Sequence, residues 1–414
     1  MTQTVSMPTQ HTPLLLEVHI LQNHSPSNLN RDDTGSPKQC VFGLVRRGRI
    51  SSQCLKRTIR RSDLFQGALE GHLGIRTRQL PELVRKAFLA DEKLALLAEI
   101  AARKTTGFGT KEGKEQDAKN GKYLTAQSMF LAQADIEAVT QAVMKAAEGK
   151  TEKTFSAVKA SEIQGQAVSR GFRAISVDVA LFGRMVTDDA IRDVEAACQV
   201  AHALSTHRVE EEFDYFTAVD DLQGADESER EEDSGADMIG DVEFNSATYY
   251  KYFSIDVDGL IDNLVGRGLR KDISQQDEQQ ARELVGNAVA AMIEAAVTIA
   301  PSGKQNTFAS HTRPSAVLVE ARPVKTPLSY ANAFVDPVQP RSTGGGLVGE
   351  SIKKFADHVE KLTEAYDLQA TQRLWFAPEH DRNVEGTIRV TKLSDLIARI
   401  REAVNGNAHP SAEA

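Results

Sequence analysis

The residues best suited to binding an anion lie in the segment RRGRISSQCLKRTIRR, which begins at Arg46. Ser51 or Ser52 is a suitable N-cap, and Leu55 and Ile59 stand four residues apart, which predicts a short amphipathic helix. The first N–H groups of a helix have no partner within it, and the dipole is positive at that end. The start of this helix is therefore suited to a phosphate.

Four cations follow within the same helix. At the spacing i,i+4, Lys56 and Arg60 share one face, while Arg57 and Arg61 share the neighbouring face. Donors spaced along a line suit a phosphodiester backbone, whereas the alternative interpretation is a solvated basic helix face. The contacts predicted on this helix are Ser52, Gln53, Lys56, Arg57, Arg60 and Arg61.

The charge distribution favours nucleic acid, although the net charge of the 414-residue chain is −9. Fifteen acidic residues stand between positions 209 and 243, opposed by Arg230 alone. Between positions 31 and 61 the balance is reversed, because nine basic residues are opposed by Asp32 and Asp33 only. The nine are Arg31, Lys38, Arg46, Arg47, Arg49, Lys56, Arg57, Arg60 and Arg61.

Signatures of enzymes and metal sites are scarce in the sequence. It contains no GxSxG, HExxH or P-loop motif, and its three cysteines form no CxxC pair, so we expect no cofactor and no metal. Asp32 and Asp33 could assist RNA cleavage, although such residues are more often turn formers. With no visible signal peptide and no apolar segment long enough to span a bilayer, we expect a cytoplasmic protein that does not enter membranes.

Six segments read in chain order predict a β-α-β-β-α-β arrangement, the ferredoxin-like order of an α+β fold. The predicted strands and helices are Leu14–Leu21 (β), the helix from Ser52, Ala174–Leu181 (β), Ala247–Val257 (β), Gln276–Ala300 (α) and Ser315–Glu320 (β). Helical stripes at Leu80–Ala102 and Ser128–Ala147 predict a helical insertion. Two amphipathic helices, Ser351–Tyr366 and Leu393–Val404, are predicted in the tail.

Five motifs occurring in this order resemble the CasC family, the backbone subunits of type I-E CRISPR Cascade complexes and part of the repeat-associated (RAMP) proteins. They are HSPSNLNRDD, RRGRISSQCLKR, FGRM, FTAVDDL and PLSYANAF. The resemblance extends from Leu15 to the C-terminal helices. It implies an RRM-like palm, helical fingers and a protruding β-hairpin thumb, and a non-enzymatic subunit of which several copies line up head to tail along one CRISPR guide RNA in antiviral defence.

The resemblance also implies roles for individual residues. The palm residues Arg31, Lys38, Ser52, Gln53, Lys56 and Arg61 match positions that hold guide phosphates. Met185, in FGRM, matches a residue that wedges against guide bases, and Lys304 matches another guide contact. Phe216 and Thr217 match thumb residues that pack where one nucleotide is displaced, and Tyr215 stands where the family has Trp.

The implied organisation divides the chain into four parts. The palm comprises 14–62, 171–208 and 245–335, the fingers 63–170, the acidic thumb 209–244, and a C-terminal helical segment that packs on the palm 341–414. The implied partners are guide RNA, target DNA through guide pairing, other Cascade subunits and further copies of the chain.

Two other functions fit parts of the same pattern. One is a RAMP-type ribonuclease that cleaves target RNA with Asp32 or Asp33. The other is an RRM-like single-strand binder that works alone, although the aromatic-rich signature of ordinary RRM domains is absent.

Overall fold

A mostly antiparallel sheet runs through the centre of the protein in the computed structural model, which describes residues 13–110, 113–167, 174–186, 191–218, 238–339 and 346–406. The strands are β1 (Leu15–Ser27), β2 (Gln39–Phe42), β3 (Val45–Ile50), β4 (Ile75–Thr77), β5 (Met129–Leu131), β6 (Cys198–Val200), β7 (Ala203–Ser205), β8 (Glu212–Ala218), β9 (Met238–Asp256), β10 (Ala316–Arg322), β11 (Gln372–Phe376) and β12 (Ile388–Arg389). The order across the central sheet is β12-β11-β10-β1-β9-β7-β3-β2, and β6 and β8 also pair with β9, whereas β4 and β5 form a separate two-stranded sheet. Only β11 and β12 are parallel among these described pairs.

Helices cover both faces of this sheet, so the α+β class predicted from the sequence is confirmed. The helices are α1 (Ser52–Arg61), α2 (Asp63–Ala68), α3 (Leu80–Leu89), α4 (Ala98–Thr105), α5 (Gln133–Ala147), α6 (Glu152–Ser156), α7 (Ala160–Ala167), α8 (Val177–Phe182), α9 (Val257–Val265), α10 (Gln275–Thr298), α11 (Gln305–Phe308), α12 (Gly346–Ala365) and α13 (Leu393–Asn405). None of the described helices is long and apolar enough to cross a membrane.

The main hydrophobic core lies between the sheet and α1, α10 and α13. Leu16, Val18 and Ile20 enter it from β1, and the long helix α10 contributes eleven buried residues. A Ser274 side chain caps α10 by accepting from the Asp277 N–H. The apolar periodicity of β1 and α10 therefore predicted both elements correctly.

The opposite face of β1 carries polar side chains that are also buried. Glu17 forms an ion pair with Arg322 at 2.7 Å. His19 lies among the rings of Tyr250, Tyr252 and Tyr330. The helix α12 covers this second core, which includes Trp375 of β11. Buried charges of this kind are tolerated because each has a partner.

A separate hydrophobic core holds the helical insertion together. It is built mainly from α3, α4, α5 and the strand β5, with Leu80, Phe88 and Val143 fully buried. The single stripe predicted over Leu80–Ala102 consists of two helices, α3 and α4. The divisions of the chain into parts proposed from the sequence stay predictions.

The strand predicted at Ala174–Leu181 is wrong, because this segment forms the short helix α8. Its alternating apolar residues suggested a strand, but Asp178 and Ala180 between them are buried as well, so no exposed face exists. The second strand of the predicted arrangement is instead supplied by β6 and β7, which pair antiparallel with β9. Each has only three residues, too few for a readable period.

Candidate nucleic-acid interface

The helix α1 presents its cations because its apolar side is buried. Ser51 accepts a hydrogen bond from the Cys54 N–H at 3.3 Å, and the Ser51 N–H itself donates to Asn30 at 2.8 Å. Leu55 and Ile59 pack into the core. The predicted helix is therefore confirmed, and its start is tied to the loop that carries Arg31 and Lys38, since Asn30 belongs to that loop. On the exposed and half-exposed side lie Ser52, Gln53, Lys56, Arg57, Arg60 and Arg61.

Five of these side chains line one wall of a cleft of about 630 Å³, and Met185 lines another. The five are Gln53, Lys56, Arg57, Arg60 and Arg61. The remaining wall is formed by β4 and β5 of the helical insertion, which bring in Arg76 and Phe130. The structure thus brings five of the six predicted α1 residues and Met185 together at one site, whereas Ser52 does not line the cleft.

Aromatic rings orient two of the cleft cations. The Arg60 guanidinium lies 5.0 Å from the ring centroid of Phe130, and its Nη1 is 3.9 Å from the Asp178 carboxylate. Burial lowers the pKa of Arg60, while the Asp178 charge opposes that shift. The Lys56 ammonium lies 5.7 Å from the Phe182 ring. Both contacts are in the range of cation–π attraction and hold the charges at the cleft.

Met185 is held out into the cleft by the residue before it. Arg184 and Val194 exchange two main-chain hydrogen bonds of 2.9 and 2.8 Å. The buried Arg184 side chain donates to the Asp135 carboxylate at 2.5 Å and to the Phe130 carbonyl at 2.9 Å. With this anchor beneath it, Met185 leaves 89% of its surface exposed at the cleft.

A second group of predicted residues lies at the root of the β8–β9 hairpin, outside the cleft. Asn28 donates to the carbonyls of Gly35 and Glu243, both at 2.9 Å, and so joins the Arg31–Lys38 loop to β9. Gly303 packs against this loop so closely that a Cβ there would lie 2.4 Å from the Leu29 carbonyl oxygen. Its neighbour Lys304 is the N-cap residue of α11, so the segments carrying Arg31, Lys38 and Lys304 converge.

The β8–β9 hairpin carries the three predicted thumb residues on paired strands. Tyr215 is 74% exposed, and Thr217 lies opposite Ile239. Phe216 lies opposite Gly240, and a Cβ at that glycine would come within 2.5 Å of the ring, so the ring lies across the partner strand. The acidic stretch Gln223–Asp237 falls outside the described residues.

The three arginines upstream of α1, which favoured nucleic acid in the sequence, have protein partners. Arg47 is buried and donates to the carbonyls of Ser205 at 3.2 Å and Phe334 at 2.7 Å. Arg46 pairs with Glu211, and Arg49 donates to the Gln39 carbonyl at 3.3 Å. These three arginines therefore do not indicate an RNA site, which leaves the cations of α1 as the predicted phosphate contacts.

Asp32 acts as a turn former in the structure. Its Oδ1 accepts from the Thr34 hydroxyl at 2.8 Å and from the N–H groups of Thr34 and Ser36 at 3.0 Å. Several hydrogen bonds lower the pKa of Asp32, and the bond from the Thr34 hydroxyl has the largest effect. Within the described ranges, no three His, Cys, Asp or Glu side chains are grouped as a metal site would require.

The comparisons with known proteins agree with the motifs. Residues 16–399 match the family model described as CT1975-like protein. A chain of a solved "CRISPR RNA-guided surveillance complex, pre-nicking" is 29% identical, with 94% of this chain and 100% of that chain covered and a TM-score of 0.74.

A second structure, titled "CRISPR RNA-guided surveillance complex", shares the fold at 24% identity, with 94% and 99% of the two chains covered and a TM-score of 0.55. No curated protein matches. The resemblance recognised from the sequence motifs is confirmed at the level of family and of overall structure.

Proposed function

The chain belongs to the family of CT1975-like proteins, and on that premise we propose that it is the guide-RNA-binding backbone subunit of a type I-E CRISPR Cascade surveillance complex. The observation that carries the proposal is the cleft in which the α1 cations face an exposed Met185. The similar chain at 29% identity comes from a CRISPR RNA-guided complex, which supports guide RNA and other complex subunits as partners.

The chemistry of the cleft suits a guide of any sequence. A protein that must hold every guide needs contacts to phosphates and side chains that stack or wedge, while guide–target pairing supplies the sequence specificity. Copies arranged head to tail use a heterologous interface that need not close, so the guide limits the filament. We place this assembly in the cytoplasm, with target DNA bound through the guide.

The order of the four central strands supports an RRM-like palm. In chain order they are β1, β6 with β7, β9 and β10, and across the sheet they stand as β10-β1-β9-β7, all antiparallel. The helices α1 and α10 both pack on one face, as a β-α-β-β-α-β unit requires. In this interpretation α3–α7 are the fingers and the β8–β9 hairpin is the thumb.

Each predicted contact receives a role within this arrangement. Ser52, Gln53, Lys56, Arg57 and Arg61 hold phosphates along α1, and Met185 wedges against a base. Arg60, held between Phe130 and Asp178, supplies charge from a fixed position. Arg31, Lys38 and Lys304 hold the strand at the hairpin root, and Tyr215, Phe216 and Thr217 meet the displaced nucleotide.

Assembly on RNA tests the proposal. The full chain mixed with single-stranded RNA should form particles whose mass grows with RNA length, with accessible nucleotides at regular intervals. Phe216→Ala should retain RNA binding but lose that regularity, because stacking on a ring contributes about 1–3 kcal/mol per base. Light scattering after size exclusion and single-nucleotide protection measure the two properties.

The matched control is Phe213→Ala, which removes another half-exposed ring from β8, on the other face of the strand from Phe216. It should leave the regular spacing intact. Irregular, independent binding by the wild-type chain would instead favour a single-strand binder that works alone.

We further propose that the subunit is not an enzyme. Asp32 and Asp33 are both exposed, but Asp32 is engaged in its turn, so Asp33 is the loop carboxylate to replace. Asp33→Ala should leave guide and target binding within about twofold of wild type, since surface substitutions of this kind have small effects. Cleavage of matched, labelled RNA by the assembled complex with Mg²⁺, abolished in the Asp33 variant, would establish the ribonuclease alternative.

A further inference from the structure

Arg76 is the cleft cation that the sequence did not single out. It lies in the middle of β4, is exposed, and stands directly opposite Phe130 of β5 in the antiparallel register. Residues directly opposite in such a pair project from the same face. Since the Phe130 ring lies beneath the guanidinium of Arg60, Arg76 faces α1 across the cleft.

Among the described residues that line the cleft with Arg76, none is acidic, although Asp63, Glu70 and Asp178 lie with Arg61 and Arg76 around an adjoining pocket. In the part of the chain that the structure describes, no acidic side chain lies within ion-pair distance of Lys56, Arg57, Arg61 or Arg76. The nearby buried carboxylate, Asp178, is directed at Arg60 instead. Burial is the main cause that lowers the pKa of Arg60, and the charges of Arg61, Arg76 and Arg57 lower it further, so each of these three lies close enough to Arg60 to repel it.

Like charges that repel in a shared cleft are relieved by a bound anion. A phosphodiester offers two free oxygens, and guanidinium groups bind such oxygens with directed pairs of N–H donors. The neighbouring apolar surfaces, Met185 and the ring of Phe182, suit a base or sugar attached to that phosphate.

We propose that Arg76 is a phosphate ligand supplied by the helical insertion, so that the bound single strand is gripped from both walls of the cleft. This inference rests on the proposed function and deepens it. RNA binding then belongs to α1 and to the insertion together.

Arg76→Ala tests the inference in the full-length protein. Binding of labelled single-stranded RNA should weaken about five- to tenfold, equally for unrelated sequences, and the slope of log affinity against log salt should fall by about 0.7. Arg401→Ala is the matched control, because it removes an exposed arginine on α13 that does not line the cleft. The control should change neither the affinity nor the slope.

Arg76→Lys separates charge from geometry. It should restore the salt slope but only part of the affinity, because an ammonium keeps the charge without the planar pair of donors. Thermal melting should be the same for all three variants, since Arg76 and Arg401 are exposed.

An Arg76→Ala protein that matches the Arg401→Ala control in affinity and slope would overturn the inference. If variants of Lys56 and Arg61 still lose binding in that case, the proposed function stands and only the phosphate contact of Arg76 is wrong. If the wild-type chain does not bind RNA, or those α1 variants bind normally, the proposed function itself fails.

Discussion

Asp135→Ala is expected to lower the free energy of unfolding by about 3–5 kcal/mol, the range found when one partner of a buried ion pair is removed. Asp135 and Arg184 each expose only 2% of their side chains, so the remaining guanidinium would be left buried without its counter-charge. The same carboxylate accepts the Ala132 N–H at 3.0 Å, so the start of α5 is weakened too. Urea denaturation of the two proteins measures the difference.

The control is Glu99→Ala, which breaks an exposed ion pair with Arg85 in the same insertion. It should cost at most about 1 kcal/mol, since exposed pairs contribute little. Equal losses for the two variants would contradict the assigned role of Asp135. Asp135→Asn keeps the side chain's shape, and we expect its loss to lie between the other two.

Replacing Lys56 and Arg61 together by Ala is expected to weaken guide binding by roughly 30- to several hundredfold, from about 1–2 kcal/mol for each charged contact. The salt slope should fall by about 1.4, twice the single-strand value for one phosphate. The loss should be the same for unrelated guides, since phosphates carry no sequence. Fluorescence anisotropy over a range of salt concentrations measures affinity and slope together.

The control is a second double variant that removes the same number of positive charges as the Lys56/Arg61 variant. Lys86 on α3 and Arg401 on α13 are exposed and lie outside the cleft, so replacing both by Ala should leave binding unchanged. A loss in the Lys56/Arg61 variant that depends strongly on guide sequence would mean that these residues contact bases.

Local pattern was sufficient to predict the elements whose periodicity is strong. The helix α1 has a capping serine and two apolar residues one turn apart, and α10 has a stripe over its whole length. In contrast, β6 and β7 are strands because β9 offers them hydrogen-bond partners about fifty residues further along the chain. Their own residues carry no comparable signal.

Helix periodicity predicted the cations of α1, but not the contacts that each of them makes. Arg60 and Arg61 are neighbouring arginines of one predicted helix, yet Arg60 lies over Phe130 and Arg61 is exposed. Likewise Arg47 is buried beneath carbonyls of residues 205 and 334, whereas Arg76 enters the cleft from another part of the chain. Such differences depend on tertiary contacts, which no local window contains.

The strand β9 makes the position of the hairpin inseparable from the packing of both cores. Its residues alternate, so Tyr250 and Tyr252 enter one core while Phe253 and Ile255 enter the other. A slip by one residue would send every side chain to the wrong face. Since the same 19-residue strand continues into the hairpin opposite Phe216, its seven outermost residues, 238–244, project by a fixed length of about 23 Å. In a filament, the register of β9 would therefore fix how far each hairpin extends from its subunit, and this distance would not depend on the sequence of the guide.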